Sequence, residues 1–271
     1  MQNRFLAALL ALAGLLSPMA VAAGTCERLV ATGDPDQPPY LWRDPQNPGQ
    51  LIGASADLLE LLAKALELRI DLIRSRSRER AEANVASGRI DLLVGSFPSA
   101  ARLESLDFIE PALFVQSAVV WVHRDRVFPY EGWSDLYTRQ GAALADGRLA
   151  REFEPLSGTS LPLEELPTLA EALKKLQRGE VAYLLGEPYA VRAAAEALGM
   201  QTEIQPLLPP LVSEGLYLAV GRDSACNEPA LRARLAARLA ELNAAGLVES
   251  LLQRNAARWK AQGLPSSPAA K

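Results

Sequence analysis

The sequence carries one histidine and two cysteines in 271 residues. That leaves no material for a His/Cys zinc site or a Ser-His-Asp triad, so much of the usual catalytic machinery is excluded by counting. Positive charge is not in excess: 28 Lys+Arg stand against 32 Asp+Glu, a formal net charge of −4. A nucleic-acid binder needs a basic footprint, and this balance does not supply one. Glycine and proline, 18 and 19 residues, are ordinary in number, and no internal repeat stands out. Disordered, collagen-like and coiled-coil chains are thereby excluded. Past residue 23 no apolar run approaches the ~20 residues that span a bilayer. What remains is a globular composition, 49% apolar and 22% charged, with enough apolar surface for a core. At ~150 residues per domain the length suits one large or two modest domains.

Residues 1–23 read as an address. Arg4 is followed by the apolar run Phe5 to Leu16 and then by Ala20-Val21-Ala22-Ala23, the layout of a secretory signal peptide cleaved after Ala22 or Ala23. The run is too short for a membrane anchor. A lipoprotein reading fails on Thr25, because the residue before a lipidated cysteine is normally Gly, Ala or Ser. The mature chain is therefore expected to be soluble outside the cytoplasm, where paired cysteines are favoured. A bridge between Cys26 and Cys226 is expected, with two isolated thiols as the alternative.

Along the mature chain, strand and helix signals alternate. Arg28 to Thr32 reads as a strand, and Ala56 to Leu66 as a helix capped by Ser55. Arg69 to Ile73 is a strand, Arg80 to Ser87 a helix, and Ile90 to Val94 a strand ending at Gly95. Ser117 to Val122 is a buried strand. The pattern restarts with a weak strand at Ala142 to Leu144, a helix near Arg148 to Glu154, a helix at Thr168 to Arg178 and a strand at Val181 to Leu185. A helix at Pro188 to Leu198 and an extended Ile204 to Leu207 follow. After the Pro209-Pro210 break come a strand at Leu216 to Val220 and two helices, Pro229 to Ala245 and Leu247 to about Trp259. Residues 263–271 are expected to be a disordered tail. This is α/β logic with βαβ crossovers and a mostly parallel sheet.

Four segments in a fixed order resemble the polar amino-acid-binding proteins of bacterial ABC importers, the extracellular solute-binding proteins of family 3. Ala31-Thr-Gly-Asp34 to Pro38-Pro39-Tyr40-Leu-Trp42 is similar to that family's opening strand and Pro-Pro-aromatic turn. Gly53-Ala-Ser-Ala-Asp57-Leu is similar to its first helix. Gly88-Arg-Ile-Asp91-Leu-Leu-Val-Gly95, then Ser99-Ala-Ala-Arg102 and Leu106-Asp107-Phe108, resemble its Gly-x-x-Asp strand, Thr-x-x-Arg turn and Val-Asp-Phe-Ser segment. Gly179-Glu-Val-Ala to Glu187 resembles Gly-x-x-Asp-Ala-x-x-x-Asp. The resemblance implies a type II, Venus-flytrap fold of two α/β lobes joined by two hinge strands. Lobe one is expected at 27–120 plus 214–262, and lobe two at 124–210. It also implies a monomer in the periplasm that needs no cofactor or metal and serves an inner-membrane ABC permease.

The same resemblance places Arg102 at the ligand's α-carboxylate, since a planar guanidinium pairs two oxygens at once. The alternative for Arg102 is a surface ion pair with Glu104 or Asp107. Asp34 and Glu187 match positions that meet an ammonium or polar side chain. Against this, Asp34 beside Pro35 also suits a turn, and Glu187 before Pro188 suits a helix's first turn. Gly95 and Phe97 lie in the loop after a strand end, Phe97 replacing a small hydroxyl residue. Gln37 and Arg78 stand where the family commonly places aromatics. Tyr40 and Trp42 supply aromatic walls or else pack in the core. The run Arg74-Ser-Arg76-Ser-Arg78-Glu-Arg80 is either a solvated edge or directs Arg76 or Arg78 into the cleft to select an anionic ligand.

The function expected is capture of a small carboxylated solute, an amino acid, for delivery to the permease. Two rivals are kept. The fold also hosts periplasmic cyclohexadienyl dehydratases, for which a buried Glu187 with Arg102 could supply a general acid and a carboxylate clamp. Related domains are also fused to histidine kinases and lytic transglycosylases as solute sensors. No effector follows Lys271, so a freestanding delivery protein is expected.

Overall fold

The computed structural model describes residues 26–145 and 160–262. The expected signal peptide, the helix near Arg148 to Glu154 and the tail at 263–271 lie outside the described residues. The chain opens with β1 (Arg28–Gly33), β2 (Asp36–Gln37), β3 (Leu41–Arg43) and β4 (Leu51–Ile52). It continues through α1 (Ala54–Leu66), β5 (Arg69–Leu72), α2 (Arg78–Ala86), β6 (Leu92–Ser96) and α3 (Ala100–Leu103). A long strand, β7 (Leu106–His123), leads to β8 (Gly141–Leu144), β9 (Leu163–Leu166), α4 (Leu169–Arg178), β10 (Tyr183–Gly186) and α5 (Pro188–Ala197). A second long strand, β11 (Ile204–Gly221), returns to α6 (Pro229–Ala244) and α7 (Leu247–Ala261).

The main sheet has eight strands in the order β5-β1-β6-β11-β7-β10-β8-β9. Its two long strands run antiparallel side by side, paired from Ile204 opposite His123 to Gly221 opposite Leu106 with two shifts of register between. At one end β11 pairs with β6, Leu218 opposite Val94. At the other, β7 pairs with β10, Leu184 opposite Trp121. Two half-sheets are thus joined through the same pair of strands, the arrangement of a periplasmic binding protein. The parallel pairs are β1 with β5 and β6, and β8 with β9 and β10. The sheet is therefore mixed, the two long strands contributing all its antiparallel pairs.

Each half has its own apolar core. In the first half Leu29, Leu62, Val94, Leu218 and Leu235 pack together around α1 and α6. In the second, Ala142, Leu169, Leu173 and Leu184 fill one cluster, and Val120, Leu136 and Tyr183 another. Helix α4 shows why the sequence signal was clear. Thr168 accepts a hydrogen bond from the Glu171 N–H, Gly179 closes the helix in the left-handed region, and Leu169, Ala172, Leu173 and Leu176 share the buried stripe.

Two local expectations change, and a small sheet is added. Helix α1 begins at Ala54 with Gly53 as its N-cap, so Ser55 lies inside the helix with a buried hydroxyl that has no partner among the described residues. Gly53 has φ +134°, and a Cβ there would stand 2.5 Å from the Tyr40 carbonyl oxygen, so only glycine fits. Pro209 and Pro210 do not divide two strands. They sit where the register jumps between Leu207 and Val212, an irregularity at which ladder N–H groups are not needed, and β11 continues through them. The loop after β1 contains a small antiparallel sheet, β2-β3-β4. The expected bridge is present: Cys26 and Cys226 are joined with Cα atoms 5.6 Å apart, tying the residue ahead of β1 to the loop before α6.

Candidate functional site

Strands β1 and β6 run parallel and adjacent, so their carboxyl ends open on the same side of the sheet. A small hollow, open to solvent, lies there. Asp34, the residue after β1, and Phe97, the residue after β6, both line it. Arg78, Gly95 and Arg102, also expected from sequence, line it too, together with Glu82, Leu93, Val94 and Ser96. Crevices beyond strand carboxyl ends are where open α/β sheets bind ligands.

Local structure explains how each side chain gets there. Ser99 caps the single turn α3 by accepting a hydrogen bond from the Arg102 N–H at 3.3 Å, which fixes the backbone that carries the guanidinium. Arg102 Nη1 donates to the Phe97 carbonyl at 3.2 Å, and Nη2 donates to Glu82 Oε1 at 2.8 Å. Its ion pair with Glu82 differs from the alternative raised by sequence, a pair with Glu104 or Asp107. Asp107 instead accepts from Asn227 and Arg222. These partners hold its carboxyl below the usual carboxylate range, the Asn227 hydrogen bond contributing most. Gly95 has φ +77°, while a Cβ there would meet nothing closer than Gln37 Oε1 at 3.9 Å, so glycine is required by the backbone turn rather than by crowding. The Phe97 ring belongs to the first-half core, and its carbonyl serves Arg102.

Asp34 lines the hollow while its Oδ1 accepts the Asp36 N–H at 3.1 Å, so the turn role and the lining role coexist. Arg78 opens α2 behind the Ser77 cap, with Nε 3.5 Å from Glu79 Oε1. Arg74, Arg76 and Arg80 are exposed and absent from the lining, so of the arginine run only Arg78 reaches the hollow. Glu82 was not singled out by sequence. Its signal was the i,i+4 spacing from Arg78, which puts both on one face of α2.

Tyr40 and Glu187 are brought together elsewhere and are not among the lining residues. Tyr40 is 1% exposed, packs on Phe114 at 5.5 Å between ring centroids, and donates its hydroxyl hydrogen to Glu187 Oε1 at 3.3 Å. Glu187 is the N-cap of α5, its Oε2 accepting from the Ala190 N–H at 3.0 Å. Burial raises its carboxyl to about 7, opposed by hydrogen bonds from the Ala190 N–H, the Tyr40 hydroxyl and the Tyr189 N–H. Around this contact the half-sheets meet. Ala190 and Ala193 of α5 pack on Trp42, Ile52 and Trp259, and Lys260 pairs with Glu196 at 2.6 Å. Trp42 is therefore a packing residue, its Nε1–H donating to Gln262 Oε1 at 3.0 Å. Gln37 is also buried, donating from Nε2 to Gln116 Oε1 on β7 at 3.1 Å.

Two other motif acids act as structural ties. Asp91 accepts from the Val30 N–H at 2.8 Å and the Ser224 hydroxyl at 2.6 Å, and Asp57 accepts from Asn255 on α7 at 2.7 Å. Among the described residues no group of three or more His, Cys, Asp or Glu is placed to hold a metal ion.

A family model, bacterial extracellular solute-binding proteins, family 3, matches residues 29–257. The chain belongs to this family. Solved structures share the family 3 fold at low identity. The amino acid ABC transporter substrate-binding protein AbpA from Streptococcus pneumoniae Canada MDR_19A, bound to L-arginine, is 18% identical with a TM-score of 0.60, over 85% of this chain and 94% of that one. The GluR0 ligand-binding core in complex with L-glutamate is 16% identical with a TM-score of 0.63, over 85% and 99%. A histidine kinase sensor domain with similarity to periplasmic binding proteins is 24% identical with a TM-score of 0.62, over 85% and 96%. No curated protein matches the chain. Among the described residues, no helix is long and apolar enough to cross a membrane.

Proposed function

We propose that this family 3 protein captures a small carboxylated solute, an amino acid, and presents it to an inner-membrane ABC permease from the periplasm. In this reading residues 27–120 with 214–262 form one lobe and residues 124–210 the other. The paired strands β7 and β11 are the hinge on which the lobes close. The observation that carries it is the convergence of Asp34, Arg78, Gly95, Phe97 and Arg102 on one hollow at the carboxyl ends of β1 and β6. Arg102 is the carboxylate ligand: its guanidinium is planar, and the Ser99 cap sets its position before any solute arrives. Tyr40 and Glu187 are assigned to the joint between the lobes, which their hydrogen bond spans.

The test is Arg102→Ala, titrated calorimetrically with the amino acids. Losing a hydrogen-bonded carboxylate contact in a covered cleft costs on the order of a hundredfold in affinity or more. The fold is expected to persist, because Arg102 sits on a single-turn helix outside the core. Unchanged affinity in the variant rejects the assignment.

Glu187 favours one second reading, a lyase of the cyclohexadienyl dehydratase kind. Burial raises its carboxyl to about 7, in the range a general acid uses, although Glu187 lies outside the lining of the hollow. Turnover of prephenate by the purified protein, lost in Glu187→Gln, would support this reading over simple binding. No turnover rejects it.

A further inference from the structure

Helix α5 belongs to the second half of the sheet but serves both halves. Val191 and Ala195 sit in the second-half core. Tyr189, Ala190, Ala193 and Glu196 fall at the spacing of a second helical stripe, and that stripe meets the first half. Tyr189 packs against the first-half core, Ala190 and Ala193 against Trp42, Ile52 and Trp259, and Glu196 pairs with Lys260 at 2.6 Å. The N-cap Glu187 adds the hydrogen bond from Tyr40. The surface that receives α5 is assembled from distant segments. Strands β3 and β4 supply Trp42 and Ile52, the end of α7 supplies Trp259 and Lys260, and the bond from Trp42 to Gln262 ties the two together. Both indoles are almost wholly covered, at 3% and 2% exposure.

We propose that α5 is a latch that holds the two halves closed on each other in the solute-free protein. Every contact in it is made by the chain's own side chains, so none needs a solute to complete it. Tyr40, Trp42, Ile52 and Glu187 are not among the residues that line the hollow, so the latch contacts are additional to those a solute would make there. Parting the halves would return the indoles to water, and burial of that apolar surface is what favours the joint. Alanine at 190 and 193 lets the helix come close to the rings. A solute shifts closure only through its preference for the closed form over the open one. With the closed form already favoured by α5, closure by itself does not report that a solute is bound. The inference concerns the joint alone and does not depend on the solute-binding reading.

The test is small-angle X-ray scattering and acrylamide quenching of tryptophan fluorescence on wild type, Ala193→Arg and Lys260→Glu. Each protein is refolded from urea with its disulfide intact and no solute added. Arginine is nearly as good a helix former as alanine, so α5 is kept while a long charged chain is wedged against Trp42 and Trp259. Lys260→Glu sets two like charges facing at an exposed pair and leaves the cores untouched, so it carries the test where a melting curve shows the wedge to prevent folding. Wild type is expected to scatter as the closed structure does. The folded variants are expected to show a larger radius of gyration and stronger quenching, since Trp42 and Trp259 are two of the four tryptophans. A wild type more extended than this structure overturns the proposal, as do folded variants whose scattering and quenching match wild type. With no solute present, neither result bears on whether the hollow binds one.

Discussion

Replacing Glu187 by glutamine should change the pH dependence of stability. The side chain is buried at the joint between the half-sheets, and burial raises its carboxyl from 4.5 to about 7. Below pH 4.5 both folded and unfolded chains hold the proton, and the residue contributes no pH dependence. Between 4.5 and 7 the unfolded chain releases a proton that the folded chain retains, so stability falls as pH rises. Above about 7 the penalty is complete. At 1.36 kcal/mol per unit it amounts to about 3 kcal/mol. Glutamine has nearly the same shape, can accept from the Ala190 N–H through its one oxygen while its amide N–H donates to the Tyr40 hydroxyl oxygen, and does not titrate. Relative to wild type, Glu187→Gln should therefore be unchanged near pH 4.5 and more stable by about 3 kcal/mol above pH 7, or roughly 6–12 °C in melting temperature. The assay is a series of calorimetric melts from pH 4.5 to 8.5 on both proteins, with no added solute. A difference in melting temperature that stays constant across the series refutes the reasoning.

Two further outcomes are expected. Replacing Cys26 and Cys226 by serine opens a loop with a sequence separation of 200, worth up to about 5 kcal/mol in the chain-entropy account. Urea denaturation should show a loss of at least 2 kcal/mol, and an unchanged midpoint would contradict it. Gly141→Ala drives a Cβ into the fully buried Tyr183 ring, so a cost of about 1–3 kcal/mol is expected in the same assay.

Some of this molecule was legible in its residues, for physical reasons. Helix α4 announces itself through a threonine cap, a glycine stop and a leucine stripe, all of them local signals. The turn that carries Arg102 was legible because its Ser99 cap lies three residues away. The long strands were not. Only Ser117 to Val122 of β7 reads as a buried run, and the prolines of β11 mimic a break that the register jump absorbs. The Tyr40–Glu187 contact spans 147 residues of sequence and depends on how the two halves meet, which no local pattern encodes. Glu82 was passed over because α2 is largely polar, so one more acid on it carried no distinguishing mark until the fold set it against Arg102.

Capture of a small carboxylated solute is tested most directly by a thermal-shift screen of the purified protein against amino acids, dicarboxylates, polyamines and prephenate. A solute at a hundred times its dissociation constant adds ~2.7 kcal/mol of stability, a shift of several degrees. One amino acid, or a group of similar amino acids, standing clear of the rest is the predicted result. A flat panel, or a response to polyamines alone, would contradict it.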